Sequence, residues 1–156
     1  MIDHLKKLVR ENATDTVINN PEIPDEKNDA VVNEIAANVS DGLKEQADKG
    51  NIQSLMDMFN NSDESSINDN PAVSGIIGKV TSSLSSKFGI SPQVAQNIAS
   101  KVLPHIMSRF VNKAKDPNDN DFDLQDIVKN IGGGKAEDLL GKITGGSGGL
   151  GKMFGG

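Results

Sequence analysis

The chain has two imidazoles, His4 and His105. General acid–base or nucleophilic chemistry would require one of them to meet an orienting acid or a nucleophile. His105 lies in residues 71–115, a stretch with no Asp or Glu, so no such acid is near it in sequence. The chain has no cysteine, which excludes thiol catalysis, thiolate metal sites and disulfides together. Oxygen-bearing side chains alternate through Asp116, Asn118, Asn120 and beyond to Asp121 and Asp123, as in a calcium loop. Such a loop needs Gly at its sixth position and a bidentate Glu at its twelfth. Here those positions hold Asp121 and Ile127, so the segment reads as an Asx-rich turn that caps the next helix. Gly132-Gly-Gly-Lys135 lacks the spacing of a phosphate loop and follows no strand, so it reads as a helix stop. The expectation is a non-enzyme with no catalytic residue, metal ligand, cofactor or small-molecule substrate.

Binding residues are better represented. Leu84 to Ile98 has helix-turn-helix spacing, with apolar residues at 84, 88, 90, 95 and 98 and Gly89 at the turn. In a DNA-binding version the second helix enters the major groove by its N-terminal part. Gln93, Gln96, Asn97 and Ser100 would then face base edges, and Lys87 and Lys101 would reach phosphates. An ordinary helical hairpin with a polar solvent face satisfies the same pattern. The end of the chain, Gly148 to Gly156, places Leu150, Met153 and Phe154 on a glycine-rich stem. These three could dock in a groove on a partner or on another copy, or the tail could simply be disordered.

The elements that must position these residues are helical. Ile2, Leu5, Leu8, Val9, Ala13 and Val17 predict a first helix over 2–18, stopped by Asn19-Asn20-Pro21. Asp25 is the expected cap of a second helix, whose face is Val31, Val32, Ile35, Val39, Leu43 and Ala47 and which Gly50 ends. Gly42 weakens its middle. Asn51 is the expected cap of a short third helix carrying Ile52, Leu55, Met56 and Phe59. Residues 61–70 are polar and read as a linker. Asn70-Pro71 and Ser91-Pro92 each combine a cap with Pro at the first helical position, and they open the two helices of the hairpin. The second is the most apolar segment and is expected to kink at Pro104. Leu124, Ile127, Val128 and Ile131 predict a sixth helix, and a weaker one runs through Ala136–Ile143. The organisation expected is an acidic helical region over 1–60, a linker over 61–70, a helical core over 71–144 and a flexible tail over 145–156.

Composition agrees with an all-α, multihelical fold of six to seven helices. Aromatics are scarce, with five Phe and no Tyr or Trp, so Val, Ile, Leu, Ala and Met must build the core. The net charge of −6 opposes binding to nucleic acid or anionic membrane on average. Its distribution is uneven. Residues 1–60 carry twelve acids and six bases, whereas residues 71–115 carry six bases and no acid. The acidic helices could therefore cover the basic hairpin within one molecule. No run approaches the length of a membrane span, and the N-terminus lacks a signal-peptide core. These absences point to the cytoplasm.

The hairpin with its Phe88-Gly89-Ile90-Ser91 turn, the helix start Asp121-Phe122-Asp123-Leu124 and the glycine-rich close after Ile131 resemble the YidB-like family of bacterial proteins. Ile18-Asn19-Asn20-Pro21 and Gly50-Asn51 resemble the N-terminal extension of some members. The resemblance implies a multihelical fold with a homeodomain-like element. It implies no activity and supplies no catalytic residues. The function expected is an interaction or structural role through protein contacts or self-association. The rival is nucleic-acid binding through residues 84–101.

Overall fold

The computed structural model describes residues 2–116, 118 and 124–132. These residues contain seven α-helices and no strand. Helix α1 (Ile2–Asn12) buries Leu5, Leu8 and Val9. The expected single helix over 2–18 breaks at Ala13, and Thr14–Ile18 form a π-helical turn. Two local causes are visible. The Asn12 amide donates to the Leu8 carbonyl at 2.7 Å, in competition with the backbone. Thr14, Thr16, Val17 and Ile18 are also β-branched and lose side-chain freedom in a helix. Ala13 and Val17 are still fully buried, so the apolar stripe outlasts the regular helix.

A 3-10 turn, Asp25–Lys27, leads into α2 (Asn28–Asp48). Asp25 is therefore not the side-chain cap expected: it sits inside the turn, whose Lys27 N–H bonds back to the Pro24 carbonyl. The six apolar residues predicted for α2 are all buried, and Gly50 follows its end at φ +85°. Helix α3 (Ile52–Asn60) buries Leu55, Met58 and Phe59. Asn51 precedes it without capping it, because its amide donates instead to Gln46 Oε1 at 2.7 Å.

Residues 61–70, read from their polarity as a linker, contain a fourth helix, α4 (Glu64–Asn68). Asp63 caps it by accepting from the Ser66 N–H at 3.0 Å, and Ile67 is fully buried. One apolar residue in a polar stretch gives no periodicity to detect, yet it anchors α4 against the hairpin's second helix.

Helices α5 (Pro71–Phe88) and α6 (Pro92–Ala114) start where the paired cap-and-proline signals place them. Asn70 caps α5 by accepting from the Ala72 N–H at 2.9 Å, and its amide donates to the Ser54 carbonyl at 2.7 Å. Asn70→Ala loses both bonds in a buried setting. It should lower stability by about 1–2 kcal/mol, measured as a fall in the urea midpoint with the slope unchanged. Gly89, at φ +65°, ends α5 in the left-handed conformation. Helix α6 continues through Pro104 to Ala114. Pro104 has no amide hydrogen, so the i→i−4 bond to the Ser100 carbonyl is missing.

Helix α7 (Leu124–Gly132) buries Ile127, Val128 and Ile131 against α2. Helix α5 packs along both α2 and α6, while α1 lies over α2 and α6. One buried cluster thus runs from Leu5 to Ile131. The α2–α5 crossing is close because two glycines face it. A Cβ on Gly42 would lie 2.8 Å from Ile76 Cγ1, and one on Gly75 would lie 2.7 Å from Gln46 Nε2. Gly42, which weakens α2 as an isolated helix, is what lets α5 approach it.

Candidate binding groove between α5 and α6

The inner stripe of α5 is Val73, Ile76, Val80 and Leu84, all buried. The flank of α5 beside that stripe is mostly small or polar, with Ser74, Gly78, Thr81 and Ser82 around Ile77. Such short side chains cannot fill the angle between α5 and α6. A groove of 480 Å³ is left open to solvent, completed by Gln96 and Ser100 from α6. No charged side chain lines it among the described residues. Thr81 Oγ1 donates to the Ile77 carbonyl at 2.8 Å. The side chains of Ser74, Ser82, Gln96 and Ser100 make no hydrogen bond among the described residues.

Gln93, Gln96, Asn97 and Ser100, singled out for base reading, and Lys101, expected to reach a phosphate, are all exposed on α6. Only Gln96 and Ser100 reach the groove. Its α5 wall was missed because Ser, Thr and Gly on a solvent face carry no distinctive signal until a second helix stands beside them.

Lys87, expected to reach a phosphate, pairs instead with Glu34 of α2 at 2.8 Å. Lys79 pairs with Glu45 of α2 at 3.2 Å. The acidic half thus neutralises two cations of the basic block within the molecule. Lys101 is exposed and forms no ion pair among the described residues. Glu34 is held below its ordinary pKa near 4.5, mainly by its hydrogen bonds from Lys87 and Ser83, with Asn38 adding a third against the cost of burial. A carboxylate whose folded pKa is depressed contributes stability that is complete above its unfolded pKa and lost as pH falls through the folded value. Thermal midpoints should therefore drop as pH is lowered from 5. Glu34→Gln should give a lower midpoint at pH 7 and a shallower acid limb, read by circular dichroism across a pH series.

The acid that His105 lacks in sequence is supplied by Glu64 of α4, which contacts its Nδ1. Arg109 Nε donates to His105 Nε2 at 3.0 Å, which makes Nε2 the acceptor and leaves the ring hydrogen on Nδ1, facing Glu64. The trio ties α4 to α6 near the surface, and no hydroxyl joins it among the described contacts. His4 is half-buried on α1. No group of three His, Cys, Asp or Glu suited to a metal ion occurs among the described residues. The start of the Asx-rich turn is present, with the Asn118 N–H donating to Asp116 Oδ1 at 2.9 Å. The rest of that loop, the weak helix over 136–143 and the tail with Leu150, Met153 and Phe154 lie outside the described residues. No described helix is long and apolar enough to cross a membrane.

A family described as "Bacterial protein of unknown function (DUF937)" matches residues 72–156, which include every residue that lines the groove. No curated protein and no solved structure matches the chain.

Proposed function

The chain belongs to this DUF937 family of bacterial proteins, whose description assigns no activity, and from that premise we propose a non-catalytic interaction role in which the α5–α6 groove binds polypeptide. The uncharged groove carries this reading. It offers hydroxyls and an amide with no partner among the described residues, beside a half-exposed Ile77. Such a lining suits a segment presenting backbone amides and a small apolar side chain. Among the described residues it gives a phosphate or a carboxylate substrate no cation to meet. A photo-crosslinking side chain at Ser82, in cells, should yield adducts with polypeptide. Adducts with nucleic acid alone would overturn the reading.

The second reading is DNA binding by a homeodomain-like hairpin. Its support is the acid-free sequence of residues 71–115 and the exposed row Gln93, Gln96, Asn97, Ser100 and Lys101. Engagement of Lys79 and Lys87 by α2 counts against it, because affinity for duplex DNA comes largely from cations on phosphates. Anisotropy of labelled duplex at low salt decides it: binding that falls steeply with salt and is lost in Lys101→Ala would favour DNA.

A further inference from the structure

His105, Ser108, Asn112 and Lys115 are three, four and three residues apart, the spacing of one helix face along α6 and its C-terminal cap. All four hold the same stretch of chain. Lys115 Nζ donates to the Phe59 carbonyl at 2.7 Å, and Ser108 Oγ donates to the Ser62 carbonyl. Asn112 Oδ1 accepts from Ser62 Oγ at 2.6 Å. His105 Nδ1 meets the Glu64 carboxylate, and Arg109 holds its ring from the other nitrogen. Ile67 is fully buried where α4 packs on α5 and α6. Residues 59–67 are thus received as a bound peptide is received: two carbonyls, a hydroxyl, a carboxylate and, three residues after it, an aliphatic side chain. None of the four receiving residues lines the α5–α6 groove.

The stretch is lightly held. Among residues 60–69 only Ile67 is buried. Helix α4 has five residues, too few to be stable without support. The contacts of Glu64 with His105 and of Ser62 with Asn112 are exposed to solvent. A segment with one apolar anchor and exposed hydrogen bonds opens at a lower free energy than the whole domain unfolds. Phe59 and Asn70, at its two ends, are both buried, so the stretch between them can lift as a strap while α3 and α5 stay in place. The receiving side chains lie within the family match, and the strap precedes it. We propose that this face of α6 is a polypeptide-binding site that residues 59–67 occupy in cis, and that it opens to a partner segment carrying a carboxylate with an aliphatic residue three positions later. Arg109 and Lys115, in a stretch of chain with no acid, favour such an acidic partner. The tethered strap competes at an effective concentration of about a millimolar, so it acts as a built-in inhibitor of the site.

The test uses the full-length chain, with a labelled synthetic peptide of residues 58–70 as the probe. Glu64→Lys in the chain sets a cation against His105 and Arg109 and leaves Ile67 in the core, so it loosens the strap without removing buried apolar surface. Apparent affinity scales with the open fraction, so the peptide should bind this variant about tenfold or more tightly than the unmodified chain, read by fluorescence anisotropy. Adding Ser108→Ala should weaken that binding about fivefold, and a peptide carrying Ile67→Ser should not bind. Native-state hydrogen exchange gives a second readout on the unmodified chain. The amides of Ile67 and Asp69, which bond to the Asp63 and Ser65 carbonyls, should exchange faster than those of Ile106 and Phe110. Peptide at about millimolar concentration should speed them further by displacing the strap. Equal binding to both chains, no binding to either, or binding indifferent to Ser108→Ala overturns the inference. So does strap exchange that occurs only with global unfolding and does not respond to peptide. The groove residues take no part in this site, so failure here leaves crosslinking at Ser82 to decide the groove separately.

Discussion

Phe110→Ala is expected to lower stability by about 3–5 kcal/mol, the range for truncating a fully buried aromatic ring. Phe110 has no exposed surface and sits on α6, which touches α1, α4 and α5. Neighbours on three sides cannot all close on the space left, so most of the cavity should persist. Domains of this size are stabilised by about 5–15 kcal/mol in total, so the loss is a large share. With no Trp or Tyr in the chain, the measurement is urea unfolding followed by far-ultraviolet circular dichroism. The midpoint should fall steeply with the slope unchanged. A shift worth under about 1 kcal/mol would mean that α6 repacks freely, contrary to the close packing expected of protein interiors.

Gly42→Leu should cost about 3 kcal/mol, the upper part of the range for overpacking a core. Even the first added carbon would stand 2.8 Å from Ile76 Cγ1 and 3.4 Å from Cγ2. Gly42→Ala is the milder case. There the gain in helix propensity, about 1 kcal/mol, offsets part of the clash. Pairing Gly42→Ala with Ile76→Ala should recover stability relative to the sum of the single changes, because alanine at 76 lacks both γ carbons that the added carbon meets. A double-mutant cycle in urea reads this coupling, and strict additivity would show that α2 and α5 move apart instead of clashing.

The contrast between Gly42 and the hairpin turn shows what a sequence discloses. Asn70-Pro71, Gly89 and Ser91-Pro92 act on their own backbone, so residue types alone place the ends of α5 and α6. The inward stripes of α2, α5 and α6 are legible for a similar reason, since each helix carries its periodicity within itself. The role of Gly42 depends on Ile76, thirty-four residues away, and taken alone it looks only like a weak helix position. Ile67 is a single apolar residue among Ser, Asn and Asp, so α4 is invisible until α6 stands behind it. At the groove, Gln96 and Ser100 stood out as polar residues on an apolar helix, but the Ser74–Ser82 wall did not. The partner of Lys87 was also hidden, because Glu34 is far from it along the chain. The contrast between an acidic first half and a basic hairpin left open whether carboxylates of the one meet cations of the other; Glu34 with Lys87 and Glu45 with Lys79 are such pairs.

The buried cluster that runs from Leu5 to Ile131 has a consequence for how this sequence can be cut. The family match begins at residue 72, within the first turn of α5. That border passes through the interior: Val73, Ile76 and Val80 lie on its far side, and Val39 and Leu43 on its near side. The stretch that the family matches is thus narrower than the unit that keeps water out. A gene trimmed to the shared stretch would encode helices with one side bare. Such a product would have to find a replacement lining, from a different leader sequence or from its own neighbours, before it could exist as a stable molecule.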